Sequence, residues 1–158
     1  MMNEVKTYKS CLSGKGMKVA IAVADFNEMV TRELLLGAVS KLEALGIAAS
    51  DISVAHVPGA FELPGVAKRF VQMKSFDAVI VLGAVIRGET PHFDCVVNAV
   101  TSGIASLASA GDVPVLFGIL TTDNVEQAMS RSGLKSGNKG SDCAEGAVQM
   151  ANLYKDLK

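Results

Sequence analysis

Only two histidines occur in the 158-residue sequence, and one of them, His92, stands where proton chemistry is easily arranged. It closes the segment GAVIRGETPH, in which a β-branched apolar run gives way to Gly88, Glu89 and Thr90, and Pro91 then opens a helical pattern. Amides freed around Gly88, the Thr90 hydroxyl and the unpaired N–H groups of a helix start together make a cradle for a phosphate. An imidazole titrates near neutrality, so His92 beside that cradle is a candidate acid and base for a bound substrate. The segment contains neither GxGxxG nor GxxxxGK followed by Ser or Thr, so dinucleotide and nucleoside-triphosphate signatures are absent, and an ordinary βα turn is the plain alternative. His56, near the end of another strand-like run, reads as a hydrogen-bonded, partly buried residue.

A second constellation is PGAFELP, residues 58–64. Proline and glycine end a strand there, Phe61 and Glu62 follow, and Pro64 suits a first helical turn. Glu62 can favour the helix N-terminus through its dipole or accept hydrogen bonds from a polyol, and the sequence leaves both open. Phe26, Phe61, Phe93 and Phe117 are expected at or just after strand ends, where they either hold a flat ligand or cap the sheet. Arg131, Lys135 and Lys139 lie in RSGLKSGNKG; such charges are usually solvated, but a guanidinium is the partner a phosphate at Gly88 to Thr90 would want. With no second histidine or acid pair near His92, no metal site is expected.

These groups need a scaffold that gathers strand ends. Four apolar, β-branched runs, Lys18 to Phe26, Ile52 to Pro58, Asp77 to Ile86 and Pro114 to Thr121, suit strands buried on both faces. Helical periodicity fills the intervals at 29–45, with Leu34, Leu35, Ala38, Leu42 and Leu45 on one stripe, at 62–73 and at 93–109. Asn124, with Gln127 three residues on, is a plausible cap for a short helix ending near Gly133, and a last helix follows Ser141. The alternation predicts an α/β three-layer α-β-α sandwich around a mainly parallel, four-stranded, flavodoxin-like sheet, with ligands outside the carboxyl ends of the strands.

A single domain over 1–158, with residues 1–16 as an N-terminal arm, accommodates a chain that is 49% hydrophobic. Fifteen basic against sixteen acidic side chains offer no bulk attraction for nucleic acid or an anionic membrane. The polar N-terminus lacks the apolar core of a secretory signal, and the apolar runs read as too short to span a bilayer. Cys11, Cys95 and Cys143 are an odd number without a CxxC pair, so a reducing, cytoplasmic setting is expected.

From about Lys18 to Leu153 the chain resembles the lumazine synthase family. The likeness is carried by FNEMVTRELLLGA, PGAFELP, GAVIRGETPHFD, FGILTTDNVEQA, and GNKG before CAEGAVQMANL, five motifs in order. The resemblance implies an enzyme joining a ribitylaminouracil to a dihydroxybutanone phosphate, with no cofactor. By matching positions, Phe26 would pack on the pyrimidine, while Ala60, Phe61 and Glu62 would line the ring and ribityl chain. Val85 and Ile86 would hold the ring edge through backbone groups, Glu89 and Thr90 would bind the phosphate, and His92 would shuttle protons. Phe117, Arg131 and Lys139 would come from the adjacent subunit, against the ring, the phosphate and the pyrimidine end respectively.

Two positions depart from many relatives: Asp25 precedes Phe26 in place of a basic or neutral residue, and Glu89, where some carry alanine, would repel a phosphate if its carboxylate turned inward. The resemblance further implies a homopentamer, with Val5 to Tyr8 adding a strand to a neighbour's sheet and the helix from Phe93 to Ala110 packed around the ring axis. A shell of twelve pentamers goes with the short GNKG turn. Two other readings of the same edge are a flavodoxin-like electron carrier and a non-catalytic flavin or lumazine binding protein.

Overall fold

The computed structural model describes residues 4–158. Its centre is a parallel sheet of β1 (Val19–Ala24), β2 (Ile52–Val57), β3 (Ala78–Ile86) and β4 (Val115–Thr122), in the order β2-β1-β3-β4. Strand residues alternate between faces, so both faces of the two central strands must be apolar to be covered. Val19, Ile21 and Val23 of β1 and Ile80 and Leu82 of β3 pack on one side, whereas Ala20, Ala22 and Ala24 and then Val79 and Val81 pack on the other. Helices α1 (Glu28–Ala44) and α5 (Lys139–Asp156) cover the first side, and α2 (Leu63–Gln72) and α3 (His92–Ala110) the second. The three-layer sandwich expected from the alternation is the fold observed.

Boundaries fall close to those expected, and the differences have local causes. The stripe on α1 buries Leu34, Ala38 and Leu42 fully, with Leu35 and Leu45 at its margin. Asn124 caps the short helix α4 (Val125–Ser130) by accepting from the Gln127 amide at 2.8 Å. The last helix begins at Lys139, ahead of Ser141, because the Asn138 side chain accepts from the Ser141 amide at 3.1 Å and so caps the helix earlier. Lys139 and Gly140 are therefore helical, and the turn proper runs through Gly133 and Gly137, both at positive φ.

The run at 92–110 reaches 19 residues at a mean hydropathy of 1.3, long and apolar enough by composition to cross a membrane, unlike the sequence expectation that all such runs are too short. Polar residues at Asp94, Asn98, Thr101 and Ser102 interrupt it, which hides its length. Here it is the crossover between β3 and β4, held to the sheet by Phe93, Val100 and Ile104, with most of its surface uncovered. The segment from Val5 to Tyr8 is exposed and pairs with no strand of its own chain, while Asn152 anchors the arm by donating to the Cys11 and Ser13 carbonyls at 2.9 and 3.0 Å.

The tightest approach lies between α1 and α5. A Cβ added to Gly140 would fall inside contact distance of the Leu34 carbonyl, and one at Gly37 would lie 2.5 Å from the Asn138 amide group. Asn138 joins the same junction by donating to the Glu33 carbonyl at 3.0 Å. Gly140→Ala must push two helices apart, so it should cost roughly 1–3 kcal/mol, visible as a lower urea midpoint; an unchanged midpoint would mean that the helices are not held this closely.

Candidate active site

In a sheet of this order, crossovers from β1 and β3 leave toward opposite sides, so a crevice opens between their carboxyl ends. The chain places a cleft of about 660 Å³ there, lined from the end of β1 by Phe26 and Asn27, from the loop after β2 by Gly59 to Glu62, and from the end of β3 by Ala84, Val85 and Ile86. Gly88, Thr90, His92, Phe93 and Val96 complete the wall. Phe26 and Phe61 remain 71% and 63% exposed. Leaving a phenylalanine in water forgoes about 2 kcal/mol of burial, so two such rings beside one cleft mark a surface that a ligand or a neighbour covers.

Pairing ends unevenly at the cleft. The β1–β3 ladder stops at Val23 opposite Leu82, but β3 continues against β4 as far as Ile86. The β1-facing backbone of β3 is thus uncovered from Gly83 onward. Asn27 takes one of these groups, its Nδ2 donating to the Ala84 carbonyl at 2.8 Å from a left-handed backbone at φ 65°. Ile86 shares the strand side of Ala84 by the two-residue period, so its backbone groups face the cleft, whereas those of Val85 face β4. Val85 consequently meets the cleft through its side chain, a refinement of the backbone role expected for it.

No amide of Gly88, Glu89 or Thr90 is engaged by a backbone carbonyl among the described residues. These donors sit at the mouth of α3 with His92 as its first residue, the juxtaposition the phosphate-cradle reading requires. Glu89 is exposed and is not among the lining residues. Glu62 Oε2 accepts from the Gly59 amide at 3.1 Å, fixing the turn, and Glu62 is among the residues that line the cleft.

Other expected residues stand elsewhere. Phe93 lines the cleft but is 9% exposed, packed as wall rather than presented as a platform. Phe117 is the third residue of β4, not at its carboxyl end, and packs partly buried on the α2/α3 side. Arg131 and Lys139 line a separate cleft of about 340 Å³ beyond the end of β4, with Thr121, Thr122, Ser136 and Asp142. Burial pushes the Cys143 thiol up to about 11, with Lys139 opposing and Asp142 adding to the rise, so the thiol stays protonated and unreactive. His56 is exposed rather than partly buried, and its Nδ1 lies 2.8 Å from Oδ1 of Asp25; the carboxylate can only accept, so Nδ1 carries the proton.

The family described as 6,7-dimethyl-8-ribityllumazine synthase matches residues 16–155. The chain belongs to that family. Membership makes it a transferase of riboflavin biosynthesis and sets aside the flavodoxin-like electron carrier, whose sheet it shares.

Asn27 was not singled out from the sequence, although asparagine at a strand-to-helix junction is a signal, because it tolerates the left-handed region better than most residues. Its tie to Ala84 should be measurable. Asn27→Ala loses the bond and retains the left-handed strain, costing about 2 kcal/mol, whereas Asn27→Gly loses only the bond. Urea unfolding should rank the wild type above Gly and Gly above Ala, and equal midpoints for the two variants would show that the turn is not held in this conformation.

Proposed function

We propose that the chain condenses 5-amino-6-(D-ribitylamino)uracil with 3,4-dihydroxy-2-butanone 4-phosphate to 6,7-dimethyl-8-ribityllumazine, releasing phosphate and water. The observation that carries this reading is one cleft in which two exposed phenylalanine faces, free amides at Gly88 to Thr90 and His92 stand together. An aromatic slot beside an anion cradle fits a planar amine and a small phosphorylated ketone, and holding the two in register removes much of the entropic barrier to their joining.

The uracil's amino nitrogen attacks the ketone carbon, and loss of water gives an imine. Proton removal from the carbon chain then expels phosphate, and after tautomerisation the ribityl-bearing nitrogen closes the second ring with loss of a second water. Each step moves protons, and His92 is the titratable side chain at the point where the two substrates would meet. Phe26 packs on the pyrimidine, Ala60, Phe61 and Glu62 line the ring and the ribityl chain, Val85 and Ile86 bound the ring edge, and Thr90 with the amides of Gly88 and Glu89 holds the phosphate.

No lysine or arginine is among the residues that line the cleft, whereas the second cleft offers Arg131 and Lys139. In a cyclic homopentamer one heterologous interface repeated around the ring can set the second cleft of one subunit, together with its Phe117, against the first cleft of the next. The unpaired outer edge of β2, the free segment from Val5 to Tyr8 and the uncovered small-residue face of α3 all favour such packing. Twelve pentamers forming a shell are the further assembly we expect, in the cytoplasm.

Lumazine formation from the two substrates is the direct test. His92→Ala should fold normally and lose about 10- to 100-fold in kcat, with uncatalysed imine chemistry supplying the remainder. Arg131→Ala should lose about 1.5–3 kcal/mol, expressed as a higher requirement for the phosphate substrate alone. Wild-type turnover in the first variant, or equal weakening toward both substrates in the second, would remove the respective role.

A further inference from the structure

Arg87 is not among the residues that line the cleft, yet it makes four contacts beside it. Its amide donates to the Thr122 carbonyl at 2.9 Å, the last rung of the β3–β4 ladder before the chain leaves the sheet at Gly88. Its Nε donates to Oδ1 of Asp123 at 3.1 Å, its Nη1 lies 3.6 Å from Oδ1 of Asp94, and its guanidinium stacks 4.4 Å from the centre of the Phe93 ring. We propose that Arg87 is a positioning residue that fixes the phosphate loop from Gly88 to Pro91; the assignment of that loop rests on the function proposed above.

Arg87 and Asp94 flank the loop and its helix start, so their contact closes the loop's neck, and the stack on Phe93 holds the first turn of α3, which carries His92. Asp123 fastens the same guanidinium to the start of α4, where its own amide donates to Gln127 Oε1 at 2.8 Å. The amides of Gly88 to Thr90 have no backbone partner among the described residues to hold them in place. Their direction is therefore set by how the two ends of the loop are fixed. With two carboxylates and an aromatic face already engaged, the guanidinium is committed to the scaffold instead of the ligand. A lysine cannot reproduce this, because a single ammonium lacks the planar fork that reaches two carboxylates while stacking on a ring.

Arg87→Ala, Arg87→Lys and Asp123→Asn should be compared in two measurements: steady-state lumazine formation, and equilibrium dialysis of inorganic phosphate. Arg87→Ala is expected to raise KM for the butanone phosphate roughly 10-fold and to weaken phosphate binding similarly, with KM for the ribitylaminouracil unchanged. Asp123→Asn should shift both in the same direction by less, and Arg87→Lys should recover only a small part. Full recovery by lysine would reduce the role to net charge and overturn the proposal, as would unchanged phosphate binding in Arg87→Ala or an equal rise in both KM values. A wild-type protein that makes no lumazine would refute the proposed reaction, while the dialysis would still decide the role of Arg87.

Discussion

Everything at the proposed site depends on the unequal length of two neighbouring strands. β1 stops pairing with β3 at Leu82, while β3 runs on against β4 to Ile86. That mismatch leaves backbone groups of β3 uncovered at the place where the two crossovers diverge, and unpaired backbone groups favour a hydrogen-bonding ligand. Had β1 run on beside β3, its backbone would fill the crevice. Instead the chain turns at Asn27, whose side chain takes the Ala84 carbonyl.

The scaffold behind this edge is stiff for reasons visible in its composition. Small residues on one face of β1, Ala20, Ala22 and Ala24, let α2 pack close, while the larger Val19, Ile21 and Val23 face the side that α1 covers. Glycine at 37 and 140 lets α1 and α5 approach almost backbone to backbone. Interiors packed at this density resist small displacements, so loops springing from the strand ends inherit well-defined starting points. The loop from Gly88 to Pro91 has no internal hydrogen bonds among the described residues and draws its order from its two ends.

Much of this was legible in the sequence. Continuous β-branched runs separated by amphipathic segments announce a parallel sheet, and the motifs at the strand ends locate the cleft and name most of its walls. Phe26, Phe61 and His92 stand where spacing put them. What the sequence could not convey was parity and depth. That Phe93 is wall and Phe26 platform depends on which helix face meets the sheet, and the backbone direction of Val85 depends on a register fixed by β4. Arg87 escaped notice because its partners, Asp94 and Asp123, become neighbours only through the β3–β4 pairing. The earlier start of α5 was missed because the cap residue, Asn138, looks like part of a loop.

On the proposed function, catalysis needs the β1/β3 cleft of one subunit and the Arg131 surface of another. The most direct measurement is activity after co-assembling His92→Ala chains with Arg131→Ala chains, each severely impaired alone. Mixed oligomers should regain part of the wild-type rate, because some interfaces then pair an intact His92 with an intact Arg131. Verified mixed oligomers that recover no activity would contradict the shared site.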